Sequence, residues 1–82
     1  MKLEILSPEK FIYTGEVDLV QMPGEMGSFE ILQNHAPLVA LLEKGKVKVI
    51  DSERNMFFVD IDGGMVHVKD DHITILTGET AV

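Results

Sequence analysis

The stretch Pro23–Gly45, PGEMGSFEILQNHAPLVALLEKG, decides how this chain folds. It holds turn signals at both ends and a His-Ala-Pro step between two short apolar runs. Pro23-Gly24 fits the central positions of a type II turn, where Pro presets φ and Gly tolerates φ > 0. Gly27 then admits the chain to a strand over Ser28–Leu32. Pro37 drives Ala36 into an extended conformation, so His35-Ala36-Pro37 reads as a stiff, non-helical corner. A corner of that kind holds a loop in one shape, which suits a docking surface. Pro37–Lys44 is the one segment with any helical character, and seven or eight residues make a marginal helix. We read it as strand.

Working outward, apolar residues recur with period two and turn residues interrupt them. Leu3 and Ile5 share a face opposite Lys2 and Glu4, and Val17 and Leu19 share another. Lys46-Val47-Lys48-Val49 is an in-out strand bounded by Gly45 and by Asp51–Asn55. Phe57, Val59 and Ile61 form one face of the next strand, with Met56, Phe58 and Asp60 on the other. Asp62-Gly63-Gly64 is expected to turn the chain into Met65–Lys69, and Lys69–His72 to turn it again into Ile73–Thr77. Short strands joined by hairpin turns are an all-β signature. One sheet cannot hide its inner face alone, but two packed about 10 Å apart can. The expected fold is therefore a single domain over residues 1–82, a small two-sheet β-sandwich or flattened barrel of about eight to ten short strands.

Composition narrows the function. Eighty-two residues leave no room for two independent cores, and a domain this small buries only roughly 60% of its unfolded surface. The chain has no Cys, hence no disulfide and no thiolate chemistry. Its longest apolar run, Ala36–Leu42, is far short of the roughly 20 residues a membrane helix needs. The amino terminus lacks a signal-peptide pattern, so a soluble chain without direct membrane insertion is expected. Net charge is −7 and the cations form no run, which disfavours nucleic acid and anionic lipid as partners. A protein partner with basic residues remains compatible.

Side-chain chemistry points away from catalysis. Ser7, Ser28 and Ser52 lack Gly-x-Ser-x-Gly surroundings, and the acids are scattered singly. His35, His67 and His72 show no His-x-His or His-x-x-x-His spacing. His67 and His72 flank one hairpin and could meet across it, but an exposed pair beside a turn is the simpler reading. His35 either braces its loop by hydrogen bonds or touches a partner directly, and the two are compatible. Gly63-Gly64 is followed by Val66 and Val68 at strand period, whereas a phosphate cradle has to open a helix. Neither a cofactor nor a metal is expected. A β-barrel carrier or ligand-binding module is the alternative class, yet it needs a modifiable Lys at a hairpin tip; Lys44 and Lys69 lack the usual flanking Met or Ala. An oligonucleotide-binding barrel would need exposed aromatics interleaved with cations.

One family is matched closely. Gly27-x-Phe29-x-Ile31-Leu32-x-x-His35-Ala36-Pro37-Leu38, then Gly45-x-Val47, resembles the signature of the epsilon subunit of F-type ATP synthases. Leu3–Glu9, Tyr13-x-Gly15-Glu16-Val17, Asp62-Gly63-Gly64-x-Val66-x-Val68 and Ile73-x-Ile75-Leu76 are similar to its other strands. The order and spacing of these pieces is the specific signal. Family members usually carry Gly where this chain has Glu30 and Pro where it has Gln33; Glu30 is expected on a solvent-facing edge. The resemblance covers the family's amino-terminal sandwich domain. Members commonly continue into a carboxy-terminal helical pair that acts as a brake on ATP hydrolysis and in some binds ATP, so the chain is expected to be either a naturally short member or a part of a longer one.

The resemblance implies a non-catalytic central-stalk subunit that links the gamma subunit to the membrane rotor c-ring and couples proton or sodium flow to ATP synthesis. It also implies a peripheral position on the cytoplasmic face of the bacterial inner membrane, within the complex. Carried over by position, the ring-facing residues are Glu25, Met26, Gly27, Ser28, His35, Ala36, Pro37 and Leu38. A family acid that commonly contacts the ring falls at Ser28, and Glu25 or Glu30 stands near enough to replace it. The gamma-facing candidates are Val20, Met22 and Leu42, although core burial explains them equally well.

Overall fold

A computed structural model describes residues 1–78. It contains six strands: β1 (Lys2–Leu6), β2 (Phe11–Gly24), β3 (Gly27–Leu32), β4 (Leu38–Asp51), β5 (Met56–Lys69) and β6 (His72–Thr77). Their order is β1-β6-β5-β4-β2-β3, and an additional β1–β2 pairing closes the first five into a barrel. β1 runs parallel to β6 and the other neighbours are antiparallel. Along its shortest axis the molecule measures 18 Å, which suits two sheet layers and their outer side chains. The flattened barrel expected from the period-two pattern is what the chain forms.

The number of strands differs from the expectation of eight to ten. β2, β4 and β5 are 14 residues each and pass from one layer to the other. β2 pairs with β1 through Phe11–Glu16 and with β3 and β4 beyond it. Of three positions read as turns or boundaries, one closes a long strand and two lie inside such strands. Pro23-Gly24 is the end of β2, and the turn residues are Glu25 and Met26. Pro23 lacks an N–H, and it sits where the β2–β4 ladder jumps from Gln21↔Lys48 to Gly24↔Leu42. Gly45 lies inside β4 rather than before it. Gly63 and Gly64 form no hairpin: with φ of 85° and 137° they bend β5. A Cβ on Gly64 would meet the Leu76 carbonyl oxygen at 2.0 Å, so only glycine lets β6 run this close.

These bends reverse which face points inward. On β4 the buried positions change from Leu42 to Val47 and Val49, and on β5 from Ile61 to Val66 and Val68. A bulge between Val17 and Leu19 does the same on β2, so Val17 and Val20 are buried while Leu19 faces outward. That corrects the reading of Val17 and Leu19 as one face. The core is formed by Leu3, Ile5, Ile31, Val47, Val66 and Ile75 with their neighbours from all six strands.

The tight connections follow local chemistry. Asp70 and Asp71, at φ 52° and 58°, join Lys69 to His72 as a two-residue turn, as expected. In the β4–β5 loop, Asp51 Oδ1 accepts from the Glu53 and Asn55 amides, both at 2.9 Å. The Asn55 amide chiefly, helped by the Asn55 side chain and the Glu53 amide, outweighs desolvation and lowers the Asp51 carboxyl below its ordinary value.

Candidate functional site

Two turns lie on either side of β3, the β2–β3 hairpin tip and the corner that leads into β4. Glu25 and Met26 cap the β2–β3 hairpin, with Gly27 at φ 121°. The Glu25 amide donates to the Leu41 carbonyl at 3.1 Å, tying the hairpin to β4. Met26 is fully exposed. Between hairpin and β4 lies an open groove of about 400 Å³, lined by Met26, Gly27, Phe29, Leu38, Val39 and Leu41 among others.

The second turn is the corner from Gln33 to Pro37, between β3 and β4. Asn34 adopts φ 66°, which Asn tolerates better than most residues. Its amide donates to Asp71 Oδ1 at 2.7 Å, reaching the β5–β6 hairpin. His35 Nδ1 lies 2.7 Å from the Ala36 carbonyl oxygen, so the ring braces the corner locally. Of the eight ring-facing candidates, Glu25, Met26, Gly27 and Leu38 come together around the groove. Ser28, His35, Ala36 and Pro37 are exposed but are not part of its lining. Ser28 Oγ accepts from Gln21 Nε2 at 3.3 Å. Glu30 is exposed on β3, which among the described residues is paired only with β2, as expected of an edge.

The gamma-facing candidates are a different matter. Val20, Met22 and Leu42 are 0%, 1% and 3% exposed, so their side chains belong to the core and offer no surface to a partner. The exposed apolar side chains lie elsewhere. Leu41, Met65, Leu76 and Leu6 are successive cross-strand partners, forming one row over β4, β5, β6 and β1. Leu41 is 57% and Leu76 43% exposed, and Val39 beside them 64%. The sequence carried a signal for this row: Ala36–Leu42 is apolar at every position, so its strand shows apolar side chains on both faces. A second exposed group, Leu32, Met56 and Phe58, lies on β3 and the outer start of β5.

The two histidines share one face of the β5–β6 hairpin, lining a shallow pocket with Lys69, Asp70 and Thr74. His72 Nε2 meets Glu4 Oε1 at 2.6 Å, while His67 stands opposite Thr74. Among the described residues no three His, Asp or Glu side chains gather as a metal site requires. None of the described residues forms a helix long and apolar enough to cross a membrane.

A closed barrel with a braced loop corner and a continuous exposed apolar row has the build of a docking module. Residues 1–82 match the family model of the ATP synthase delta/epsilon chain beta-sandwich domain, and the chain belongs to that family. It is 44% identical over 82 residues to the ATP synthase epsilon chain of Leptospira interrogans, covering 100% of this chain and 64% of that protein. It is 42% identical over 76 residues to the ATP synthase epsilon chain of Caulobacter vibrioides, covering 93% of this chain and 87% of the relative. The chain thus spans just under two thirds of the Leptospira relative and most of the Caulobacter one. Among solved structures, a chain of the Euglena gracilis mitochondrial ATP synthase, described as OSCP/F1/c-ring in rotational state 1, superposes with a TM-score of 0.86. Its sequence identity is 26%, over 96% of this chain and 51% of that one.

Proposed function

We propose that this chain is a non-catalytic central-stalk subunit of a rotary ATP synthase, joining the gamma subunit to the membrane rotor ring. It works by transmitting torque. A barrel closed by hydrogen bonds has a dense, poorly compressible interior, so it carries load with little deformation. In the bacterial inner membrane the chain stands on the cytoplasmic face as part of the complex, and it couples proton or sodium flow to ATP synthesis.

The hairpin tip and the His-Ala-Pro corner face the rotor ring, and the row Leu41–Met65–Leu76 faces gamma. The row replaces Val20, Met22 and Leu42 in that role because its side chains are accessible. It outranks the Leu32–Met56–Phe58 group because Leu41 also lines the groove beside Met26, which makes gamma-facing and ring-facing surfaces contiguous. That continuity is the observation that carries the reading. Patches of exposed apolar surface of this kind mark protein contacts, and the names of the relatives support a place in an ATP synthase.

Membrane vesicles stripped of this subunit should hydrolyse ATP without pumping ions, and adding the purified chain should restore pumping. Pumping that proceeds equally well without the chain would defeat the proposal.

A further inference from the structure

The corner from Gln33 to Pro37 has no strand partner, yet its shape is held from a hairpin 37 positions away. We infer that Asp71 is a positioning residue for rotor-ring docking, its carboxylate fixing the Asn34–Pro37 corner in the form the ring reads. The inference rests on the docking reading above and adds a residue to it outside both contact surfaces.

Three observations carry it. The bond from the Asn34 amide to Asp71 Oδ1 is 2.7 Å, and a carboxylate acceptor makes such a bond short and strong. The base of the bond is itself anchored, because the Asp71 carbonyl accepts from the Lys2 amide at 2.9 Å and so ties the turn to β1. Finally, the turn tolerates Asp at this place but prefers glycine. Both turn residues have positive φ, and glycine is the preferred second residue of such a turn. Asp at 71 gives up some of the turn preference for glycine and supplies a carboxylate that reaches Asn34. Pro37 restricts Ala36 at one end of the corner; Asp71 fixes the other end, and His35 and Ala36 are held between them.

Asp71→Gly removes the carboxylate while relaxing the turn, so it separates a positioning role from a merely structural one. Asp71→Asn keeps an oxygen in the same place. Thermal melting, Asn34 amide hydrogen exchange, and binding to gamma and to rotor rings carrying gamma are measured for all three proteins. Expected for Asp71→Gly are an undiminished melting temperature, unchanged gamma binding, Asn34 exchange faster by about tenfold, and ring docking weaker by roughly fivefold. Asp71→Asn should recover most of both losses. Ring docking equal to the unmodified chain in Asp71→Gly, or a docking loss that follows lost thermal stability, overturns the inference. Failure of the unmodified chain to bind rings at all instead removes the docking reading on which it rests.

Discussion

At the scale of single residues, Gly64 is the position where backbone and packing leave least choice. Its φ of 137° and the 2.0 Å approach to the Leu76 carbonyl act together. Gly64→Ala should destabilise the fold by on the order of 2–4 kcal/mol, a fall of roughly 10 °C or more in melting temperature. Gly27→Ala is the contrast: φ is 121° but nothing lies within 4 Å of an added Cβ, so only strain is felt, about 1–2 kcal/mol. Melting curves of both variants check the order. Asp51 gives a pH dependence. Its carboxyl is lowered from 3.8, so the unfolded chain binds the proton more readily. The Asp51 contribution is therefore present above about pH 4 and lost as pH falls through the lower, folded value. Asp51→Ala should flatten the stability curve only on that acid side, as measured by urea unfolding at stepped pH. Pro37→Gly frees Ala36 and should weaken ring docking about two- to fivefold, with melting nearly unchanged. Unaltered docking would take the corner out of the interface.

At the scale of elements, period-two alternation and turn signals together located most of the strands, and the one doubtful helix, apolar at nearly every position, proved to be the start of β4. What alternation could not give was strand length. Gly63-Gly64 and Pro23-Gly24 carry the same local signal whether the chain reverses or merely bends. The difference lies in partners distant in sequence, such as Leu42 and Thr77 on either side of Gly64. The same limit explains the gamma-facing residues. A bulge at Val17/Leu19 and reversals on β4 and β5 shift which parity is buried, so Val20, Met22 and Leu42 point inward. The exposed hairpin tip and corner were legible because Gly27 and Pro37 fix their shapes locally. The bond from Asp71 to Asn34 was not, since it joins two loops that no motif connects.

At the scale of the whole molecule, barrel closure leaves β3, among the described residues, as the strand paired on one side only, with Glu30 on it. The proposed contact surfaces are then the loops flanking β3 and one outer face, adjoining at Leu41. An interface built on that face should respond to charge placed at its centre and not to equal changes elsewhere. The most direct test is a binding titration of the chain against its gamma subunit, with Met65→Glu compared with Phe58→Glu. The account predicts tight binding by the unmodified chain, a loss of at least tenfold for Met65→Glu with the fold intact, and little change for Phe58→Glu. Equal binding by all three proteins, or a loss confined to Phe58→Glu, would contradict it.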